Sequence, residues 1–319
     1  MRLLSVHPWL LRAIQIGVAV ALMGLLWRIA DGPDAARLLR QADPLWLAAA
    51  VAALTIQTWL SALRWRLAAR QLGIVLRPGE AVREYYLAQV VNQSLPGGMV
   101  GDAGRAVRSR GPSGLLAAGM AVVFERLAGQ VAMFLAMASA FVVTLAAPGG
   151  FEWPRWLVLP VAVIVLAGTL MPLGLAAATR MPGRIGRSAS AFWRMLARAL
   201  LARRVLPRHV LLSIGTTVAN LGAFAFCAIA LDAALPLVAV LALVPLILFT
   251  MLIPISISGW GLREGAAAAL FPLAGATASQ GLATSITFGL AFIVAVLPGA
   301  AFIGTPSPVP ARTSRAKAE

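Results

Sequence analysis

Long apolar runs, separated by short Arg-rich stretches, recur along the whole chain. A helix needs about 20 apolar residues to cross the hydrocarbon core of a bilayer. Runs of that kind lie at Trp9–Trp27, Leu45–Leu63, Leu115–Ala146, Leu157–Ala178, Val210–Leu231, Leu235–Ile255 and Ala278–Ile303. The third is long enough to tilt strongly or to extend beyond the membrane. Two further stretches are apolar but broken: residues 85–104, YYLAQVVNQSLPGGMVGDAG, and residues 256–274, SISGWGLREGAAAALFPLA. Gly, polar side chains and charges interrupt both. Pro96 lies inside the first, Pro254 stands just ahead of the second, and Pro272 is near its end. Non-helical backbone at membrane depth is tolerated only inside protein or beside a water-filled cavity. Both stretches therefore read as re-entrant or half-spanning elements. The expected fold is all-α, a polytopic integral membrane bundle of about 7–8 transmembrane helices with two re-entrant or broken segments.

Composition agrees. The 319 residues are 60% hydrophobic and 12% charged, where a soluble domain carries about a quarter charged residues. Lys+Arg is 27 against 11 Asp+Glu, a net charge of +16. Nucleic-acid binding would need that charge gathered on a soluble domain. Here Arg residues sit mostly at the ends of apolar runs, the pattern of membrane proteins. Arg2 and Arg12 precede the run Ala13–Trp27 much as in a signal peptide. Arg28 follows directly and no clear A-x-A site stands after it, so an uncleaved first span is the better reading. The single cysteine, Cys227, excludes an intrachain disulfide and speaks against a Cys-based metal site. His7 and His209 flank apolar runs and read as interfacial.

The loops set an expected orientation. Arg64, Arg66, Arg70, Arg77, Arg83, Arg105, Arg108 and Arg110 lie between the second and third spans. The link 179–209 is equally Arg-rich and long enough for an amphipathic helix on the membrane surface. The positive-inside rule makes both cytoplasmic, with a cytoplasmic N-terminus. Arg312, Arg315 and Lys317 favour the same side for the C-terminus, which an eighth crossing near Gly261–Ala274 would allow. Residues 1–305 form the expected transmembrane domain, and the Pro-, Ser- and Ala-rich tail 306–319 is expected to be disordered.

Three charged clusters carry the candidate chemistry. In the first, Asn92 and the Pro96 break are followed by Gly101, Asp102 and Arg105. A helix restarting there could use Asp102 as an N-cap. In the second, Glu125 and Arg126 sit mid-span. Adjacent helical residues point about 100° apart and should not pair with each other. Glu125 shares its stripe with the small residues Ala121 and Gly129, and Arg126 shares its stripe with Gln130. Charges within a span face the bundle interior and mark a pathway or a partner. In the third, Gly259-Trp260-Gly261-Leu262-Arg263-Glu264-Gly265 opens onto a helix whose backbone N–H groups suit an anion, with Arg263 as an added phosphate ligand. The two broken segments occupy similar places in the two halves, and paired interruptions point to a transporter site. Arg64-Trp65-Arg66 reads as an interfacial anchor, with a headgroup contact as the alternative. Tyr85 and Tyr86 read as interfacial too. HExxH, GxSxG and P-loop signatures are missing from the sequence, and no cofactor or metal is expected.

Arg64-Trp65-Arg66, NQSLPGGMVGDAGR at 92–105, ERLAG at 125–129 and PISISGWGLREG at 254–265, in this order, resemble the lysylphosphatidylglycerol synthase transmembrane-region family, also described as a flippase-like domain family. The resemblance covers roughly residues 10–305. It implies an integral membrane domain of the bacterial inner membrane that moves lipids or lipid-linked molecules between leaflets. Aminoacylated phospholipids, hopanoids and polyprenyl-linked sugars are associated with its stand-alone members. The namesake proteins carry a further aminoacyl-transferase domain. The sequence stops at Glu319 without one, so lysyl-lipid synthesis by this chain alone is not expected.

On this reading the ligand is a phosphate-bearing membrane lipid. Arg126 and Arg263 would hold the phosphate. Asp102, Glu125 and Glu264 would balance those charges or meet a cationic headgroup, with Asn92, Arg105 and Arg64 nearby. Two alternatives belong to other classes. One is a membrane enzyme of lipid or glycolipid assembly using Asp102 or Glu264. The other is a non-catalytic partner of a lipid synthase or glycosyltransferase.

Overall fold

Helix signals in the sequence are met closely by the computed structural model. It describes residues 17, 20, 21, 23–94, 99–146, 152–252 and 259–307. Pro96, Pro254, His7, the start of the first expected span and the tail from 308 lie outside the described residues. Residues 23–29 are helical, followed by α1 (Gly32–Arg40) and α2 (Pro44–Gln71). Asp43 caps α2 by accepting from the Leu45 N–H at 2.8 Å, and Pro44 fills the first turn, where its missing N–H costs nothing. Then come α3 (Pro78–Ser94), α4 (Val100–Ser109), α5 (Gly114–Ala146), α6 (Arg155–Thr179) and α7 (Gly183–Leu196). A π turn at Ala197–Leu201 leads to α8 (Leu206–Ala230), α9 (Leu237–Phe249), α10 (Leu262–Leu270) and α11 (Ala278–Val296), which a 3-10 turn extends to Phe302. No strand occurs among the described residues.

Of these elements, α2, α5, α6, α8 and the extended α11 are long and apolar enough to cross a membrane. The large apolar side chains they expose, such as Trp59, Leu135, Leu159, Leu170 and Leu211, would be untenable in water and are at home in lipid. The molecule is a multi-pass membrane protein. At its centre α2 packs along α8 through small residues, with Ala50 and Ala53 buried in one cluster with Ala223 and Ala228. Phe224, Phe271 and Phe288 fill the space between α8, α10 and α11.

The remaining apolar segments are short. The described residues of the sixth expected span form α9 and a 3-10 turn up to Leu252, residues 253–255 lying outside the described residues, and the Gly261–Ala274 stretch holds the nine-residue α10 and a 3-10 turn. Nine helical residues cover about 14 Å, half a hydrocarbon core. Hydrogen bonds fix where these pieces enter. On one face the Asp43 N–H donates to Ala230 O, Ser279 Oγ donates to Asp34, and Gln280 Nε2 donates to Asp232 O. That face therefore carries the α1–α2, α8–α9 and α10–α11 links. The Ser279 hydroxyl and the Arg37 guanidinium hold the Asp34 carboxyl there below its ordinary value. On the other face Ser113 Oγ donates to Gly73 O, and Arg108 and Arg83 donate to Thr305 O and Pro306 O. That face carries the α2–α3 and α4–α5 links and the chain after α11. The pair α3/α4 is thus a hairpin entering from the second face, and α9/α10 is one entering from the first. The chain after α11 reaches the Arg-rich face without an eighth crossing.

Both hairpins depend on glycine at a close approach. A Cβ on Gly101 would lie 2.0 Å from Ala88 O, across α3/α4. One on Gly281 would lie 2.4 Å from Ala267 O, where α10 meets α11. Gly101→Ala should therefore destabilise the protein by about 1–3 kcal/mol, the usual cost of overpacking. Gly104→Ala, which meets nothing within 4 Å, should be neutral or slightly stabilising. Thermal unfolding of both variants in detergent checks the contrast, and equal melting temperatures would refute it.

Candidate functional site

The first hairpin brings its charges against the middle of α5. Glu125 is buried and accepts from Arg64 Nη2 at 2.9 Å, from Arg105 Nη2 at 3.4 Å and from Tyr85 Oη at 3.2 Å. Asp102 accepts from Arg105 Nη2 at 3.0 Å and from Arg126 Nε at 2.5 Å. Each carboxylate is held by two guanidiniums, and Arg105 bridges the two. Arg105 is sandwiched between the Trp65 and Tyr85 rings, 4.5 and 4.4 Å from their centroids. Arg64 reaches back to α8, donating to Thr216 at 2.8 Å and Ser213 at 3.3 Å. A Cβ on Gly129 would lie 2.7 Å from Arg64 Nη2, so a glycine there opens the path to Glu125.

The network holds three cations and two anions. Arg126 differs from the others: its side chain is 43% exposed, against 8% or less for Arg64, Arg105, Asp102 and Glu125. It opens into a cavity of about 260 Å³. Gln57 and Ser61 of α2, Gln89 and Gln93 of α3, and Thr217 and Asn220 of α8 line it. Its far wall is Leu248 and Phe249 at the end of α9 and Met251 and Leu252 of the 3-10 turn after it, with Phe288 and Phe292 of α11. The cavity therefore lies where the inner ends of the two hairpins converge.

Several sequence expectations meet this geometry. Glu125 and Arg126 find separate partners, and Arg126 and Gln130 share the cavity wall. Asn92 lines the cavity and also accepts from the Gly101 N–H at 2.7 Å, tying the end of α3 to the start of α4. Asp102 sits in the first turn of α4, with Met99 at the cap position, so it serves the arginines instead of the cap. Arg64 and Trp65 are buried and not interfacial, because the α3/α4 hairpin covers them. Tyr85 lines the cavity, and Tyr86 is buried, its hydroxyl meeting Thr55 and Trp59 of α2. His209 is buried as well, its Nε2 3.0 Å from Ala199 O, bracing the π turn.

The third cluster has a different setting. Arg263 pairs with Glu264 at 2.5 Å and donates to Ser285 Oγ and Ser285 O at 2.8 and 3.0 Å. Glu264 also accepts from the Gly261 N–H at 2.6 Å, closing the turn in which Gly259 and Gly261 take φ of 80 and 90. Neither Arg263 nor Glu264 lines the cavity. They fasten α10 to α11 beneath Trp260 and Phe288. Glu84, which sequence reasoning passed over, is a further buried carboxylate, held by Arg108 at 2.6 Å. The uncharged lining residues Gln57, Ser61, Gln89, Gln93, Thr217 and Asn220 were also missed. Their signal was helical spacing of polar residues inside apolar spans: Gln57, Ser61 and Arg64, or Gln89 and Gln93.

The buried pairs are expected to be strongly coupled. Removing Glu125 alone strands Arg64 and Arg105 and should cost about 3–5 kcal/mol, whereas Arg64→Met with Glu125→Leu should cost much less than the summed single changes. A double-mutant cycle on detergent unfolding reads this, and additive losses would refute the coupling.

No curated protein matches the sequence. Residues 13–299 match the family described as the lysylphosphatidylglycerol synthase TM region. With the match running through both hairpins and every span between them, the chain belongs to that family.

Proposed function

We propose that this protein is a lipid translocase that accepts a phosphate-bearing headgroup in the cavity between its two hairpins. The observation that carries the reading is the unequal charge beside that cavity. Three guanidiniums face two carboxylates, and the excess cation, Arg126, is the one open to it. A charge inside a membrane bundle marks a ligand path by default, and Arg suits the planar, acceptor-rich phosphate. Hairpins that enter from opposite faces and meet near the midplane are a transporter arrangement. The apolar far wall of the cavity suits the start of acyl chains.

The face bearing Arg66, Arg70, Arg77, Arg110 and the link 180–208 is cytoplasmic on the positive-inside rule. The N-terminus then lies on the same side, because the first helix ends at the opposite face. The bacterial inner membrane is the setting this reading assumes. Arg263, with its hydrogen bonds spent on Glu264 and Ser285, is a positioning residue.

Proteoliposomes holding acyl-chain-labelled anionic phospholipids, treated with an impermeant reductant, test the proposal. Wild type should expose the inner-leaflet probe, and Arg126→Gln should lose at least about tenfold in rate, as expected when one charge-assisted hydrogen bond is removed. Arg263→Met should lower stability, yet the folded fraction should still move lipid. Wild-type rates from well-folded Arg126→Gln would remove the mechanism.

A further inference from the structure

The cavity carries a second chemical signature besides its excess cation. Its polar lining is dominated by carboxamides: Gln57, Gln89, Asn92, Gln93, Gln130 and Asn220. A carboxamide both donates and accepts hydrogen bonds, a guanidinium only donates, and a carboxylate only accepts. A bare phosphate needs donors and is served by arginine alone. An ammonium group needs acceptors, and above all a carboxylate. Groups that donate and accept at once are matched by hydroxyls.

The carboxylates are not available to a cation. Of the described lining residues, Asp102 and Glu125 are the acidic ones, and each already holds two guanidiniums. An ammonium entering the cavity would meet the excess positive charge of Arg126 with no free carboxylate beside it. The amides are differently placed. Gln57 Nε2 donates to Ser61 Oγ at 3.2 Å, and Gln89 accepts from Thr58 Oγ1 at 3.0 Å. Gln93, Gln130 and Asn220, all half-buried, make no hydrogen bond among the described residues. Such groups at membrane depth require polar partners. They come from three helices, α3, α5 and α8, and surround the space beside Arg126.

We infer that this cavity selects a headgroup combining one phosphate with several hydroxyls, and discriminates against an aminoacylated, cationic one. Arg126 takes the phosphate, and Gln93, Gln130 and Asn220 read the hydroxyls. The inference rests on the translocase reading above and narrows its substrate class. It departs from the cationic lysyl headgroup that the family's description suggests.

The test compares four acyl-chain-labelled lipids in proteoliposomes of the full chain. Phosphatidylinositol and phosphatidylglycerol carry a phosphate and hydroxyls, phosphatidic acid carries a phosphate without hydroxyls, and lysylphosphatidylglycerol carries net positive charge. The first two should move at least about fivefold faster than the others, the effect of one or two well-made hydrogen bonds. Gln130→Leu and Asn220→Leu should bring their rates down toward that of phosphatidic acid. Equal rates for phosphatidic acid or lysylphosphatidylglycerol would overturn the selectivity while leaving translocation intact. If no lipid moves, the translocase reading fails, and native mass spectrometry of the purified protein with the same four lipids decides the inference alone. Preferential retention of the hydroxyl-bearing pair, lost in Asn220→Leu, upholds it; equal retention overturns it.

Discussion

The chain of charges from Arg64 through Glu125, Arg105 and Asp102 to Arg126 is the interaction on which the arrangement depends. Ionised groups inside a membrane bundle are tolerated only when paired or wetted. Here the pairing is shared among five elements: α2 supplies Arg64, α3 supplies the Tyr85 hydroxyl, α4 supplies Asp102 and Arg105, α5 supplies Glu125 and Arg126, and α8 supplies the hydroxyls behind Arg64. The network therefore does two things at once. It seats the first hairpin against the spans, and it leaves one guanidinium open to the cavity. The glycines serve the same end, Gly101 by letting α4 approach α3 and Gly129 by clearing the way for Arg64.

The second hairpin solves the same problem with fewer charges. Arg263 and Glu264 neutralise each other, and Ser285 and the Gly261 N–H take up further hydrogen bonds of the pair. That side contributes apolar surface to the cavity while the first contributes polarity and charge. The result is an amphipathic chamber. On the proposed function, a headgroup would sit toward α3, α4, α5 and α8, and acyl chains toward α9 and α11. Entry of the hairpins from opposite faces brings both to the same depth.

Much of this was legible in the sequence, because the signals were local. Apolar runs of spanning length gave α2, α5, α6, α8 and α11. The breaks near residue 96 and at Gly259 to Gly261 marked the hairpins. The mid-span pair Glu125 and Arg126 marked the cavity, since no local feature could neutralise it. What escaped depended on partners distant in sequence. Arg-Trp-Arg at 64–66 looks like an interfacial anchor until α3 and α4 fold over it. Arg263 looks like a free phosphate ligand until Ser285, 22 residues on, occupies it. The parity of the C-terminus could not be resolved by counting apolar runs, because α9 and α10 are apolar but turn back.

The central claim is that the cavity beside α5 is open to polar solutes and carries net positive charge. It is tested most directly by placing a single cysteine at the wall, Gln130→Cys in a Cys227→Ser background, with Arg126 intact. Its labelling rates with anionic and cationic methanethiosulfonate reagents are measured in membranes and normalised to each reagent's rate with a free thiol. The expected result is labelling that favours the anionic reagent, with the preference falling when Arg126 is changed to Gln. An unreactive cysteine, or one that favours the cationic reagent, would contradict the claim.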